Sequence, residues 1–249
     1  MKKSILLFVS VLTAFAACKD EEAETPNAIS SNEAAVMVGS SFASNSSGVS
    51  FVSKESANKS EDILEDHAGG RIATCGISQS IDLSGASPVG GTITWSYDFS
   101  YNFRLNCNAE ELPDNIAVNL TYSGNFNDPK LAFEHSGLSD LKLTGLEAAA
   151  PNFLMNGLYK RSGSFEIKEG EKKSGSSSID ITITNVVIDK TTHKIASGSS
   201  SFLLTGSVSG KGTFKYEGTV DFTGSDAAQL KIKSEVFLLN LNDGSVTKK

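Results

Sequence analysis

One run of the chain restricts its fold more than any other. In Gly91–Cys107 (GTITWSYDFSYNFRLNC) the odd positions carry Ile93, Trp95, Tyr97, Phe99, Tyr101, Phe103, Leu105 and Cys107. The even positions carry Thr94, Ser96, Asp98, Ser100, Asn102, Arg104 and Asn106. Successive side chains of a pleated strand point to opposite faces, so this pattern is a strand with one aromatic face and one polar face. At about 3.3 Å per residue the run extends roughly 50 Å, and a wide layer has to pack against its aromatic side.

The same parity precedes it in RIATCGISQSIDL, where Ala73, Cys75, Ile77, Ile81 and Leu83 are odd. The two runs predict a hairpin closed by a three-residue loop at Gly90-Gly91-Thr92. That register sets Val89 against Ile93, Leu83 against Phe99, Ile81 against Tyr101, Ile77 against Leu105 and Cys75 against Cys107, all buried on one face. Parity alone does not select it, because any even shift keeps the same face inward.

Strand patterning continues from Asn115 to Ser123. Leu131 and Phe133 mark one short strand, and Leu141, Leu143 and Leu146 another. Gly157 and Gly163 are candidate bend points, Glu169–Ser178 reads as an exposed loop, and a parity change near Asn185 predicts a bulge. Short turns then link the remaining strands to their neighbours. The expected fold is mainly β, an antiparallel meander forming a sandwich or a strongly curved, half-barrel sheet at residues 71–249. A small helical or irregular segment, residues 30–70, precedes it. There Ser31–Phe42 is expected to be a short helix with Ala34, Ala35, Val38 and Phe42 inward, and Ser30 and Glu33 have capping-box spacing. A further helical turn is expected around Glu61–His67.

The first seventeen residues have a secretion-signal pattern: Lys2 and Lys3, an apolar stretch from Ile5 to Ala17, then small residues before Cys18. Phe15-Ala16-Ala17-Cys18 resembles the lipobox of bacterial lipoproteins, departing from it at Phe15, where Leu is commoner. The resemblance implies cleavage before Cys18 and attachment of diacylglycerol and an acyl chain such as palmitate to that residue. Several acyl chains together give a stable anchor. Lys19-Asp20-Glu21-Glu22 resembles the acidic export signal of Bacteroidota surface lipoproteins. This implies an outer-membrane anchor, with display at the cell surface or, as the alternative, a periplasm-facing orientation. Residues 18–29 are then the lipidated Cys and a tether.

With Cys18 taken by lipid, Cys75 and Cys107 remain. Two cysteines in an oxidising compartment point to a disulfide, and the hairpin register above would bring them together. Two free buried thiols are the other reading. Without residues 1–17 the basic count falls from 22 to 20 against 29 acidic residues. Such a balance argues against a nucleic-acid partner.

The chemistry is sparse. His67, His135 and His193 are isolated and read as solvated surface residues; neither they nor the cysteines have metal-ligand spacing, so no metal and no cofactor is expected. Gly206–Gly212 (GSVSGKG) falls one residue short of a phosphate loop and lacks the Ser or Thr after Lys211, so it reads as a hairpin turn. Asp98, Glu166, Asp180 and Asp221 sit on polar strand faces, where a glycosidase would need two acids across a cleft. Trp95, Tyr97, Tyr101 and Phe103 could form a sugar-stacking platform, but they share a face with Ile93, Leu105 and Cys107, which favours burial. The expected function is a membrane-anchored, non-enzymatic binding or structural module for a glycan or an outer-membrane protein partner. A carrier of a lipid or other hydrophobic ligand is the alternative, and a glycan-active hydrolase is a third reading.

Overall fold

The computed structural model describes residues 27–69 and 75–249. Helix α1 spans Ser31–Phe42 and has the expected capping box. The Ser30 hydroxyl accepts from the Glu33 amide at 3.2 Å, and the Glu33 carboxylate accepts from the Ser30 amide at 2.7 Å. These contacts satisfy two amides that a helix start would otherwise leave without partners. Ala34, Ala35, Val38 and Phe42 are fully buried, as their spacing requires.

A 3-10 turn at Ser44–Ser46 leads into α2, Val49–Ala68. This helix is far longer than the turn expected near Glu61–His67. Its buried stripe is Val49, Val52, Ser53, Ser56, Ala57, Ser60 and Ile63. The spacing is helical, but four of the seven are Ser or Ala, so the hydropathy pattern hardly marks it. Ser53 turns its hydroxyl back to the Val49 carbonyl at 2.7 Å, which lets a serine lie on the inward face.

Eleven strands follow: β1 (Ser78–Ala86), β2 (Thr94–Cys107), β3 (Pro113–Asn127), β4 (Leu131–Thr144), β5 (Asn152–Ile167), β6 (Lys173–Asp189), β7 (Ile195–Val208), β8 (Gly212–Gly224), β9 (Ala227–Ile232), β10 (Glu235–Asn240) and β11 (Val246–Lys248). They form one sheet in sequential order, an antiparallel meander that does not close on itself. The fold is therefore the single-sheet alternative and not a two-sheet sandwich.

The two short strands expected around Leu131 and Leu141 are one strand, β4. Between them His135, Gly137 and Ser139 keep the inward parity without being apolar. The loop expected at Glu169–Ser178 is mostly the start of β6, where inward Gly175 and Ser177 again hide the alternation. The expected bulge is present: pairing shifts between Thr184 and Val187, and Asn185 has φ 48°. Gly157 also lies at a register shift.

The sheet curls around its helices. Val36 of α1, Leu131 of β4 and Val246 of β11 line one pocket. On a flat sheet seven strand spacings, roughly 34 Å, would separate β4 from β11. A helix about 10 Å wide touches both only if the sheet wraps it. The concave face is thus filled by side chains from α1 and α2, including Met37, Phe42, Val49 and Val52.

Candidate functional site: the open end of the aromatic column

The β1–β2 pairing has the expected register, with Ile81 opposite Tyr101 and Leu83 opposite Phe99. The connection is longer than expected, because regular pairing stops at Ala86 and Ser96. Val89, Ile93 and Ile77 were expected in the buried set; they are 105 %, 42 % and 54 % exposed. Gly90-Gly91-Thr92 does not close a tight turn, so Val89 and Ile93 belong to the loop and not to the ladder.

Cys75 and Cys107 stand at disulfide distance, with Cα atoms 5.6 Å apart. Cys75 lies in the turn before β1, next to Gly76 at φ 80°, and so escapes the spacing of a regular ladder position. Cys18 lies outside the described residues.

Along β2 the aromatic residues form a column. Trp95 and Tyr97 have centroids 5.5 Å apart and planes 7° apart; Phe99 with Tyr101 and Tyr101 with Phe103 continue the series at 5.5 and 5.6 Å. Phe99, Tyr101, Phe103 and Leu105 are buried, as core residues should be. Trp95 and Tyr97 are only partly buried. The run is therefore split, core from Phe99 onward and open shelf before it.

Three elements build the shelf. Tyr97 lies over Gly85 of β1, where any Cβ would strike its ring at 2.7 Å. Phe51 of α2 packs on Tyr97 at 4.9 Å and on Phe99 at 5.3 Å. The Trp95 amide donates to the Ser87 hydroxyl at 3.1 Å, and the Ser87 amide to the Trp95 carbonyl at 2.8 Å, which fixes the indole end. Burial, with the Glu55 carboxylate nearby, raises the Tyr97 phenol above its ordinary value, so it stays a neutral hydroxyl. The sequence pattern alone could not supply Phe51 or Glu55, because the helix that presents them is poorly marked.

On the outer face Asp82 and Asp98 approach each other diagonally: Asp82 is opposite Ser100, and Asp98 is opposite Ser84. With Ser84, Ser100, Thr121 and Ser123 they line a shallow depression of about 510 Å³. Both acids rise from one sheet surface and do not face each other across a cleft. Asp180 and Asp221 are ion-paired, to Lys160 at 3.4 Å and Lys231 at 2.7 Å, and Glu166 is an exposed outer-face residue of β5.

His135 corrects the expectation of three surface histidines. It is 5 % exposed on the inward face of β4, and Arg161, 4 % exposed on β5, donates from Nη2 to its Nδ1 at 3.0 Å. Arginine has no acceptor, so this bond places the imidazole proton on Nε2. Burial and the adjacent guanidinium hold the His135 pKa down at about 2. His193 bonds Glu61 of α2 at 2.7 Å, tying that helix to the β6–β7 turn. Among the described residues no three His, Cys, Asp or Glu side chains gather as metal ligands. Gly206–Gly212 ends β7 and opens β8 through a turn, as expected.

No protein-family model, no curated protein and no solved structure matches this chain.

Proposed function

We propose that the protein is a lipid-anchored outer-membrane module, displayed at the cell surface, that binds a partner through the open shelf of Trp95, Tyr97 and Phe51 without doing covalent chemistry. The observation that carries this reading is the incomplete burial of Trp95 and Tyr97. Large aromatic side chains of a stable core are normally covered, and aromatics left open in an ordered stack are a common basis of recognition. The lipobox-like sequence at Cys18 supports the anchor. Asn27 already bonds the body of the domain, its side-chain carbonyl accepting from the Lys215 amide at 2.9 Å. Eight residues lie between it and Cys18, a reach of at most roughly 30 Å, so the domain is held close to the membrane. An oxidising compartment would close the Cys75–Cys107 bond.

Trp95 is the only tryptophan in the chain, so its emission reports on the shelf directly. A saturable shift with a soluble oligosaccharide or peptide, lost in Tyr97→Ala, is the expected result. An emission that no member of such a panel moves would reject the shelf as a binding site. Labelling cells with a radioactive fatty acid tests the anchor, and the label should disappear in Cys18→Ser.

A further inference from the structure

The open sheet has two edges, and they differ. β11 is three residues long, is followed by Lys249, and carries Lys248, which is ion-paired to Glu235. Short length and lysines are the usual protection of an edge against pairing with another chain. β1 has nine residues, SQSIDLSGA, with no Lys, Arg or Pro among them. Its inward Ile81 and Leu83 are only half-buried and pack against the core from one side. Exposed Ile77 and Val89 flank it at either end.

The hydrogen bond from the Ser87 amide to the Trp95 carbonyl fixes which backbone groups of β1 face away from β2. Antiparallel pairs alternate between bonded and non-bonded, so with this register the odd residues of β1 bond β2. The amides and carbonyls of Ser80, Asp82 and Ser84 therefore point away from it. All three residues are exposed. Their side chains lie on the outer face, where Asp82 and its diagonal neighbour Asp98 have no ion-pair partner among the described residues.

Resting on the reading of the protein as a binding module, we infer that β1 is the docking edge for an extended peptide segment with alternating apolar and basic residues. Such a segment adds a twelfth strand. Its backbone bonds Ser80, Asp82 and Ser84, and its apolar side chains complete the cover over Ile81 and Leu83 beside the Tyr97–Phe51 shelf. Its Lys or Arg residues lie on the outer face next to Asp82 and Asp98. A second copy of this chain fits less well, because antiparallel pairing centred on β1 would set Asp82 against Asp82.

The probes are a seven-residue peptide alternating Lys and Val, the same peptide with Glu for Lys, and the Lys peptide N-methylated on alternate residues. Each is titrated into the full chain while Trp95 emission is followed. The Lys peptide should bind at least tenfold more tightly than the Glu peptide, and N-methylation should abolish binding. Ser84→Pro removes only an outward amide and should leave thermal unfolding close to wild type while weakening the Lys peptide at least tenfold. Ser80→Pro repeats the test at a second free amide. Asp82→Lys should reverse the preference between Lys and Glu. Unchanged binding by a folded Ser84→Pro protein would overturn the inference. So would a dimer, seen by sedimentation, that Ser84→Pro dissolves, since the edge would then belong to a second copy. Oligosaccharides that move Trp95 while peptides do not would reject the peptide and leave the binding module standing. If neither moves it, both fall.

Discussion

Arg161 of β5 donates from Nη1 to the carbonyl of Ser40, in the last turn of α1, at 3.0 Å. A longer bond of 3.4 Å reaches the Ser46 carbonyl in the 3-10 turn, and Nη2 holds His135. The guanidinium also lies 5.1 Å from the Phe133 ring centre. The carbonyls at the end of a helix lack partners within it and carry the negative end of its dipole, so a buried cation there is favourable. Arg161 thus clamps the helical layer to the middle of the sheet.

Replacing Arg161 with Met keeps much of the volume and removes the donors. The Ser46 carbonyl and the His135 ring would lose a partner inside the core, and Ser40 would keep only the hydroxyl of Ser46. The expected cost is roughly 2–5 kcal/mol. Urea unfolding measures it. Amide exchange should rise mainly in α1 and the 3-10 turn while the β4–β5 ladder stays protected. A loss spread evenly over the sheet would contradict the clamp.

His135 makes stability depend on pH. Its folded pKa of about 2 lies below the ordinary 6.5, so between those values the unfolded chain binds a proton that the folded chain does not. Stability is then fully present above about pH 6.5 and falls as the pH drops, by up to about 1.4 kcal/mol per pH unit for this one group. Asn in its place offers an acceptor to Arg161 but cannot take the proton. The difference in unfolding free energy between wild type and His135→Asn should shift steadily against wild type from pH 6.5 to pH 4. A difference that is flat with pH would rule out this origin.

A bond between Cys75 and Cys107, 32 residues apart, would close a loop that contains all of β1 and β2. A bond at that separation restricts the unfolded chain by about 3–4 kcal/mol in the loop-entropy picture. The non-reduced protein should show no alkylatable thiol at either position, and Cys107→Ser should lower stability by roughly that amount. Exchange in β1 should accelerate first, because β1 has only one neighbouring strand. Two alkylatable thiols in exported protein would show the bond to be absent.

How much the sequence revealed follows from which side chains face inward. Where the inward residue is large and apolar, as along β2 or in Ile179, Ile181 and Ile183, alternation alone placed the strand. Ser30 and Glu33 placed the start of α1 to the residue. Legibility was lost beneath the helices, where inward positions have to be small or polar for the layers to approach. Ser53, Ser56 and Ser60 hid α2, His135–Ser139 broke β4 in two, and Gly175 and Ser177 made the start of β6 look like a loop. The shelf was half legible: the pattern identified Trp95 and Tyr97 as inward-facing. That α2 brings Phe51 onto Tyr97 and still leaves both residues only partly buried was not legible, because the pattern hardly marks that helix.

Gly137 gives the sharpest test of this close approach. It faces inward on β4, directly opposite Tyr122 of β3 and Arg161 of β5. The Tyr122 ring leans over it, and its hydroxyl donates to the Lys160 carbonyl at 2.9 Å, so one side chain links β3 to β5 across the bare backbone of β4. A Cβ on Gly137 would overlap both that carbonyl and the tyrosine hydroxyl. Gly137→Ala should therefore cost about 3 kcal/mol or more, since the obstructing atoms include backbone that cannot swing aside. Tyr122→Phe loses a single hydrogen bond and should cost about 1 kcal/mol. In the double variant the hydroxyl, one of three obstructing atoms, is gone, while the ring carbon and the Lys160 carbonyl remain, so the combined loss should fall short of the sum by about 0.5 kcal/mol, the low end of the coupling expected of residues in contact. Denaturant unfolding of the four proteins measures that coupling. Strict additivity would mean that the Tyr122 hydroxyl does not obstruct a side chain at Gly137.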